Sequence, residues 1–455
     1  MTLPNYFLAD LPRDAELSTG MIREACQTLK RNREQYLLRR STASLVRTLS
    51  ELAGAWREPE YPFRKLALKA DPQETGFTST TLAKGLDAFF SKLTAEALEA
   101  LLVQDLGERR RLDDFCASDP EEGQQRAAIA RGPELLVHIT AGNVPSPALA
   151  SVVLGLLIRS AQFVKCATGA TLLPRLFAHS LYEVEPKLAS CLEIATWPGG
   201  RASLEAALYS EAECVTATGT DETLADIQQQ LPSSVRFLGY GHRVSFGFIT
   251  KEVLSGFNVA RLISKVATDA VAWNQLGCLS PHLFYVERGG RVSPENFAES
   301  LATELGRREQ DDPRGWIPDR ESAAIASRRG FYEVRAAHSP DTRQWCSPDS
   351  TAWTVVYEAD PRFQLSCLNR FVYVKAITNL DEALAGADAV RGRVSTIGLG
   401  ATDDRAHELA RTCAAWGATR ICPVGEMQNP PLSWRHDGRP ALADLVTWTD
   451  WEHGS

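Results

Sequence analysis

The sequence predicts an α/β protein built on doubly wound parallel sheet, with a helical region at its N-terminal end. Two patterns carry this expectation. Between Glu134 and Asp221, short apolar runs alternate with helical segments, and turn residues follow the end of each run. Later in the chain, Phe371 to Ile377, Val394 to Leu399 and Thr419 to Val424 repeat the strand signal around a helical stretch, Arg405 to Trp416. At 455 residues the chain is also too long for a single ordinary core, so two or three domains are expected.

Residues 1 to about 116 are rich in charge, Leu and Ala, and stretches such as Gly85 to Leu102 space their apolar residues helically. This part reads as helices packed onto a larger body, a scaffold with little functional content. Ala117 to Gly132 reads as a polar hinge or loop. Leu135 to Ile139 is the first parallel strand, followed by the turn Thr140 to Pro145 and an apolar helix, Pro147 to Leu157. Ala161 to Lys165 is the next strand, then a helix from Leu173 to about Glu183, and a further strand over Cys191 to Thr196. A helix at Leu204 to Ala207 precedes Cys214 to Thr220, a strand ending in a glycine turn, and Asp221 opens another helix.

Residues 237–249 read F-L-G-Y-G-H-R-V-S-F-G-F-I, where three glycines imply close backbone approach or positive φ. Pro294 to Leu305 is an amphipathic helix, and the charged, turn-rich residues 306–350 read as surface structure. Gly417 is placed to cap the helix ending at Trp416. Residues 425–445 form a long turn-rich segment that either shapes a pocket or covers a sheet edge, the second being the blander reading.

Composition narrows the class. Hydrophobic residues at 44% and charged residues at 23% are those of a globular protein, and a net charge of −8 without a basic run argues against a nucleic-acid partner. The ten cysteines lack any C-x-x-C pair, which fits neither a zinc site nor a disulfide framework and suits a reducing cytoplasm. No metal site is expected. No signal peptide is evident, and the longest apolar run, Pro147 to Ile158, is too short to span a bilayer. The expectation is a cytoplasmic protein without membrane insertion.

Three residues stand where chemistry could be done. Cys278 follows a helix-compatible segment, Ala270 to Trp273, that runs into Asn274, Gln275 and Gly277, and it precedes a buried apolar run, Leu283 to Val286. A thiol at such a junction can face a cleft while backbone N–H groups point at a bound oxygen, as acyl transfer requires. The bland alternative is a small buried hydrophobe. Asn143 sits in a strand-to-helix turn, where its amide can donate to an oxyanion or serve only its own backbone. Lys165 ends a strand at the ligand edge and either reaches a ribose or phosphate or merely snorkels. A G-x-G-x-x-G fingerprint is absent.

These pieces, in this order, resemble the aldehyde dehydrogenase superfamily over roughly residues 125 to 445. Gly142-Asn143-Val144-Pro145 is similar to the W-N-F-P segment, Phe163-Val164-Lys165 to V-V-K-P, Ala217-Thr218-Gly219-Thr220 to F-T-G-S, and Asn274-Gln275-Leu276-Gly277-Cys278 to N-Q-x-x-C. Within the superfamily, G-Y-G-H-R-V-S, W-N-Q-L-G-C-L-S-P-H and I-C-P-V-G-E-M-Q-N-P-P-L-S-W resemble the long-chain acyl-CoA or acyl-protein thioester reductase (LuxC-type) family.

The resemblance implies an aldehyde dehydrogenase-like fold with two doubly wound α/β domains. Residues 1–238 would hold the helical region and the dinucleotide-binding domain, 239–445 the catalytic domain, and 446–455 a C-terminal tail. It implies NADPH-dependent reduction of a fatty acyl thioester to a fatty aldehyde through an acyl-cysteine, with Cys278 as nucleophile and Asn143 as oxyanion donor. Lys165, Thr218, Gly219 and Thr220 would bind the cofactor. The acyl donor would be acyl-CoA, an acyl carrier or an acyl-protein synthetase, and the protein a homo-oligomer.

Departures from the wider superfamily matter. Where hydrolytic members carry E-L-G-G-K, this chain has Gly239-Tyr240-Gly241-His242-Arg243, so their general base is missing; a reductase must keep water from its acyl-cysteine. No E-x-F-G-P segment precedes Phe371. Thr168, three residues after Lys165, stands where NAD-preferring relatives often place an acidic residue, so no carboxylate there repels a 2′-phosphate. His242 and His282 are candidates to manage protons. The rival readings are an oxidative aldehyde dehydrogenase, a semialdehyde-type acyl-phosphate reductase, an acyltransferase without nicotinamide, and a non-catalytic subunit of a fatty-acid reductase assembly.

Overall fold

The computed structural model describes residues 3–12 and 15–452. Its strands, in chain order, are β1 Arg126–Arg131, β2 Leu135–Ile139, β3 Ala161–Cys166, β4 Leu192–Thr196, β5 Cys214–Thr218, β6 Arg236–Tyr240 and β7 Val244–Ile249. They continue as β8 Pro281–Glu287, β9 Thr342–Cys346, β10 Thr354–Glu358, β11 Phe371–Ile377, β12 Val394–Gly400, β13 Ile421–Pro423 and β14 Thr447–Glu452.

A five-stranded sheet, in the order β4-β3-β2-β5-β6, is parallel throughout. A seven-stranded sheet, in the order β13-β12-β7-β8-β11-β10-β9, is parallel except for β9. The first sheet ends with β6 at Tyr240 and the second begins with β7 at Val244, so residues 241–243 are the hinge between them.

Both sheets are covered on both faces, which is why their strands read as unbroken apolar runs. On one face of the smaller sheet, the helices Ser146–Leu157 and Leu172–Val184 share a core with the N-terminal helices Thr42–Arg57, Ser79–Phe90 and Ala95–Leu106. The N-terminal helices are capped by Ser41, Thr78 and Thr94, whose side chains accept backbone N–H groups of the first turn. The opposite face packs against Ile22, Cys26 and Leu29 of the helix Thr19–Asn32. In the larger sheet, β8 sends Phe284 and Val286 to one core and Leu283 and Tyr285 to the other, so every residue of that strand is buried.

Two stretches of secondary structure differ most from the sequence reading. The expected loop Ala117 to Gly132 contains β1, which pairs antiparallel with β14, so residues 447–452 fold back onto the start of the first domain. An alanine-rich strand whose partner lies at the far end of the chain leaves no local signal. The 306–350 stretch holds a 20-residue helix, Asp319–His338, in which only Ile325 and Tyr332 are buried. So thin an apolar stripe reads as polar surface. The glycines at 239, 241 and 247 do serve close approach: a Cβ on Gly241 would lie 2.4 Å from Asp221 Oδ1, and one on Gly247 2.2 Å from Phe284 Cδ1.

Candidate active site

Cys278 sits where the helix Val259–Val271 has ended and β8 has not begun, at the N-terminal edge of the larger sheet. The intervening turn is unusual. Trp273, Asn274 and Gln275 have φ of 50°, 51° and 65°, left-handed values that cost non-glycine residues about 1–2 kcal/mol each. Buried hydrogen bonds hold them there. Asn274 donates to the carbonyl of Arg314 at 3.1 Å and accepts from Arg370 Nε at 3.2 Å. Gln275 Nε2 donates to the carbonyls of Pro281 at 2.7 Å and Phe371 at 2.9 Å. The Asn-Gln pair therefore builds the turn that presents the thiol.

Trp273 anchors the same turn against the N-terminal helices, edge-on to Phe77 at 5.0 Å between ring centroids. A Cβ on Gly85 would stand 2.0 Å from Trp273 Cζ2. The region read as a scaffold thus holds the Cys278 loop directly. Gly85→Ala should force the indole and its turn to move, lowering stability by about 1–3 kcal/mol and slowing acylation of Cys278; thermal melts and a single-turnover acylation assay check this.

Asn143 follows β2 at the C-terminal edge of the smaller sheet and crosses to the other domain, its Nδ2 donating to the Leu276 carbonyl at 2.7 Å. The candidate oxyanion donor therefore meets, across the seam between the two sheets, the loop that carries the candidate nucleophile. Ser245 of β7 fixes the loop from below: its Oγ donates to the Cys278 carbonyl at 2.8 Å and accepts from Thr396 N–H at 3.1 Å. Burial, and then the charge of Asp437, push the Cys278 thiol up to about 11; its backbone N–H, the Ser395 hydroxyl and Arg243 act in the opposite direction. Asp437 belongs to the 425–445 segment and pairs with Arg243 of the hinge at 3.3 Å, and His436 stacks on Tyr240 with centroids 4.7 Å apart. Through Asp437 that segment acts on the thiol's electrostatics. Ser245, Ser395, Arg243 and Asp437 carried no sequence signal beyond the hinge motif and an Asp-Gly turn.

Lys165, Thr218, Gly219 and Thr220 lie along the C-terminal edge of the smaller sheet. Lys165 and Ala217 flank Ile139 in register, one on β3 and one on β5, so they stand about 10 Å apart across β2. The chain reverses its winding direction between β2 and β5, which is where open α/β sheets bind ligands. The Lys165 ammonium is buried over the Trp197 ring at 5.8 Å, its pKa lowered by burial while the nearby Glu205 carboxylate acts in the opposite direction; no carboxylate stands within ion-pair distance of it among the described residues. Thr220 caps the helix Asp221–Gln230, and Gly219 N–H donates to the Tyr240 carbonyl at 3.2 Å. A buried ammonium with no direct ion-pair partner among the described residues, beside the switch point, fits an anionic dinucleotide.

The two histidines part company. His242 is exposed, its backbone N–H bound to Asp221 Oδ1 at 3.2 Å. His282 is buried and its pKa lowered to about 4, first by burial and then by the His242 charge. The Ser366 backbone N–H donates to its Nδ1 at 3.1 Å, and this hydrogen-bond pattern assigns the proton to Nε2. His282 is thus a neutral donor at physiological pH.

The family model described as acyl-CoA reductase (LuxC) matches residues 38–448. A long-chain acyl-protein thioester reductase of Photorhabdus laumondii is 21% identical over 419 residues, covering 90% of this chain and 82% of that protein. Among solved structures, bifunctional proline utilization A superposes with a TM-score of 0.73 at 17% identity, covering 98% of this chain, which spans only 46% of that longer one. An NAD-dependent benzaldehyde dehydrogenase from Corynebacterium glutamicum gives 0.69 at 13% identity, with 98% and 94% covered. These likenesses show the aldehyde dehydrogenase fold. No helix among the described residues is long and apolar enough to cross a membrane.

Proposed function

The chain belongs to the acyl-CoA reductase (LuxC) family, and from that premise we propose that it reduces a long-chain acyl thioester to an aldehyde through an acyl-Cys278 intermediate, with NADPH as reductant. The observation that carries this reading is the meeting of Asn143 with the Cys278 loop, since acyl transfer needs a nucleophile and an oxyanion donor at one carbon.

Cys278 attacks the thioester carbonyl. Its Sγ–C bond forms as the carrier S–C bond breaks, and the proton of the thiol ends on the departing carrier sulfur. Asn143, with an amide proton to spare beyond its bond to Leu276, and the Cys278 backbone N–H stabilise the oxyanion. Lys165, Thr218, Gly219 and Thr220 hold the dinucleotide, which when bound supplies the hydride. After reduction the carbonyl re-forms as the Sγ–C bond breaks, releasing aldehyde and the Cys278 thiolate. The hinge 239–243 carries no carboxylate to activate water against the acyl-cysteine, and Asp437 is engaged by Arg243.

The exposed loop after β3, Ala167 to Ala170, also lacks a carboxylate, which favours a 2′-phosphate. The acyl donor is coenzyme A or a protein carrier; the relative's name, an acyl-protein thioester reductase, favours a protein.

The test is a panel of acyl-CoA and acyl-carrier thioesters with NADPH or NADH. Absorbance of the reduced nicotinamide should fall only when a thioester is present, faster with NADPH, with trappable aldehyde as product. Aldehyde oxidation to free acid would favour the oxidative dehydrogenase, and cofactor binding without turnover on any thioester would favour a non-catalytic subunit.

A further inference from the structure

The register of the larger sheet slips by one residue on both sides of β7, at the same level. Toward β12, Val394 faces Val244 and Thr396 faces Ser245, which leaves Ser395 unmatched. Toward β8, Pro281 faces Ser245 and Leu283 faces Phe246, which leaves His282 unmatched. Both slips centre on Ser245, the residue whose hydroxyl ties the Cys278 carbonyl to Thr396 N–H. A bulge re-aims the side chain of its extra residue, and bulges concentrate beside active sites.

Ser395 is fully buried, and its Oγ has no regular hydrogen bond among the described residues. A buried hydroxyl left without a partner costs about 1–3 kcal/mol, so its placement calls for a ligand or a reacting group. The tie through Ser245 links the residue after it, Thr396, to the Cys278 carbonyl.

We propose that Ser395 is a catalytic residue whose hydroxyl donates a hydrogen bond to the Cys278 sulfur. The inference rests on the reading of Cys278 as nucleophile. The hydroxyl keeps its own proton throughout. It stabilises the thiolate that attacks the thioester, and again the thiolate that departs when the reduced adduct collapses. Nothing is oxidised or reduced at Ser395, and no further reactant is needed. A neutral donor suits this position because the nearby carboxylate, Asp437, opposes a thiolate. The hydroxyl's effect on the thiol is in the required direction, downward.

The test is the pH profile of Cys278 alkylation by iodoacetamide, read at that residue by mass spectrometry. Wild type, Ser395→Ala and Ser395→Thr are compared, with thermal melts to establish folding. Ser395→Ala should move the profile upward by about one pH unit and slow alkylation at neutral pH about tenfold, while Ser395→Thr, which keeps the hydroxyl, should stay near wild type. A folded Ser395→Ala whose profile superimposes on wild type would overturn the proposal. Should that variant fail to fold, Ser395→Cys keeps the volume and weakens the donor; an unshifted profile there would be equally fatal. Wild type incubated with acyl-CoA and no reductant reports separately on the nucleophile. A shifted profile without any acyl adduct on Cys278 would sink the proposed function and leave the Ser395 bond standing; an adduct without a shift would do the reverse.

Discussion

Cys278→Ala is expected to lower turnover of any acyl thioester by about 10⁴-fold or more, the scale on which removal of a covalent nucleophile acts. The same variant should fail to gain acyl mass when incubated with acyl-CoA in the absence of reductant, whereas wild type gains one acyl group per chain. Its fold should survive, because the thiol is only partly buried and the turn before it is held by Asn274, Gln275 and Trp273 rather than by sulfur. Binding of NADPH, followed through tryptophan fluorescence, should be unchanged, since Lys165 and the Thr218–Thr220 turn belong to the other sheet. An adduct that persists in Cys278→Ala would move the nucleophile to one of the nine other cysteines, all of them free.

Asn143→Ala is expected to cost about 10²–10³ in kcat, as loss of one oxyanion donor does. KM for the thioester should change little, because in the proposed role the amide acts on charge that develops only in the transition state. Asn143 also donates to the Leu276 carbonyl, so a purely structural role for this residue must be separated from a chemical one. A structural role predicts that alanine loosens the Cys278 loop and changes the rate of iodoacetamide alkylation. A chemical role leaves alkylation unchanged while acylation collapses, because alkylation at a saturated carbon forms no oxyanion. Alkylation and acylation that fall together would assign Asn143 to loop positioning.

The elements legible in the sequence were those whose signal is local. Leu135 to Ile139, Ala161 to Lys165 and Phe371 to Ile377 are strands buried on both faces, so each displays its burial as an apolar run bounded by turn residues. Gly417 caps its helix with φ of 117°, as its position after Trp416 implies. What escaped was structure whose stabilising partner is remote or whose apolar face is thin: β1, which needs β14, and the helix Asp319–His338, which buries two large side chains in twenty residues.

Of the candidate site, the sequence by itself determined the family, the alternating architecture, and which thiol, amide and ammonium stand at loop or strand ends. Those features are written in residue type and short spacing. The tertiary structure alone decided what surrounds the sulfur. Asn143 reaches the Cys278 loop only because the C-terminal edge of one sheet faces the N-terminal edge of the other. Asp437 is brought in by its pairing with Arg243, and Ser395 and Ser245 come from strands whose neighbourhood is fixed by register; a register slip of one residue is invisible until the partner strands are laid side by side.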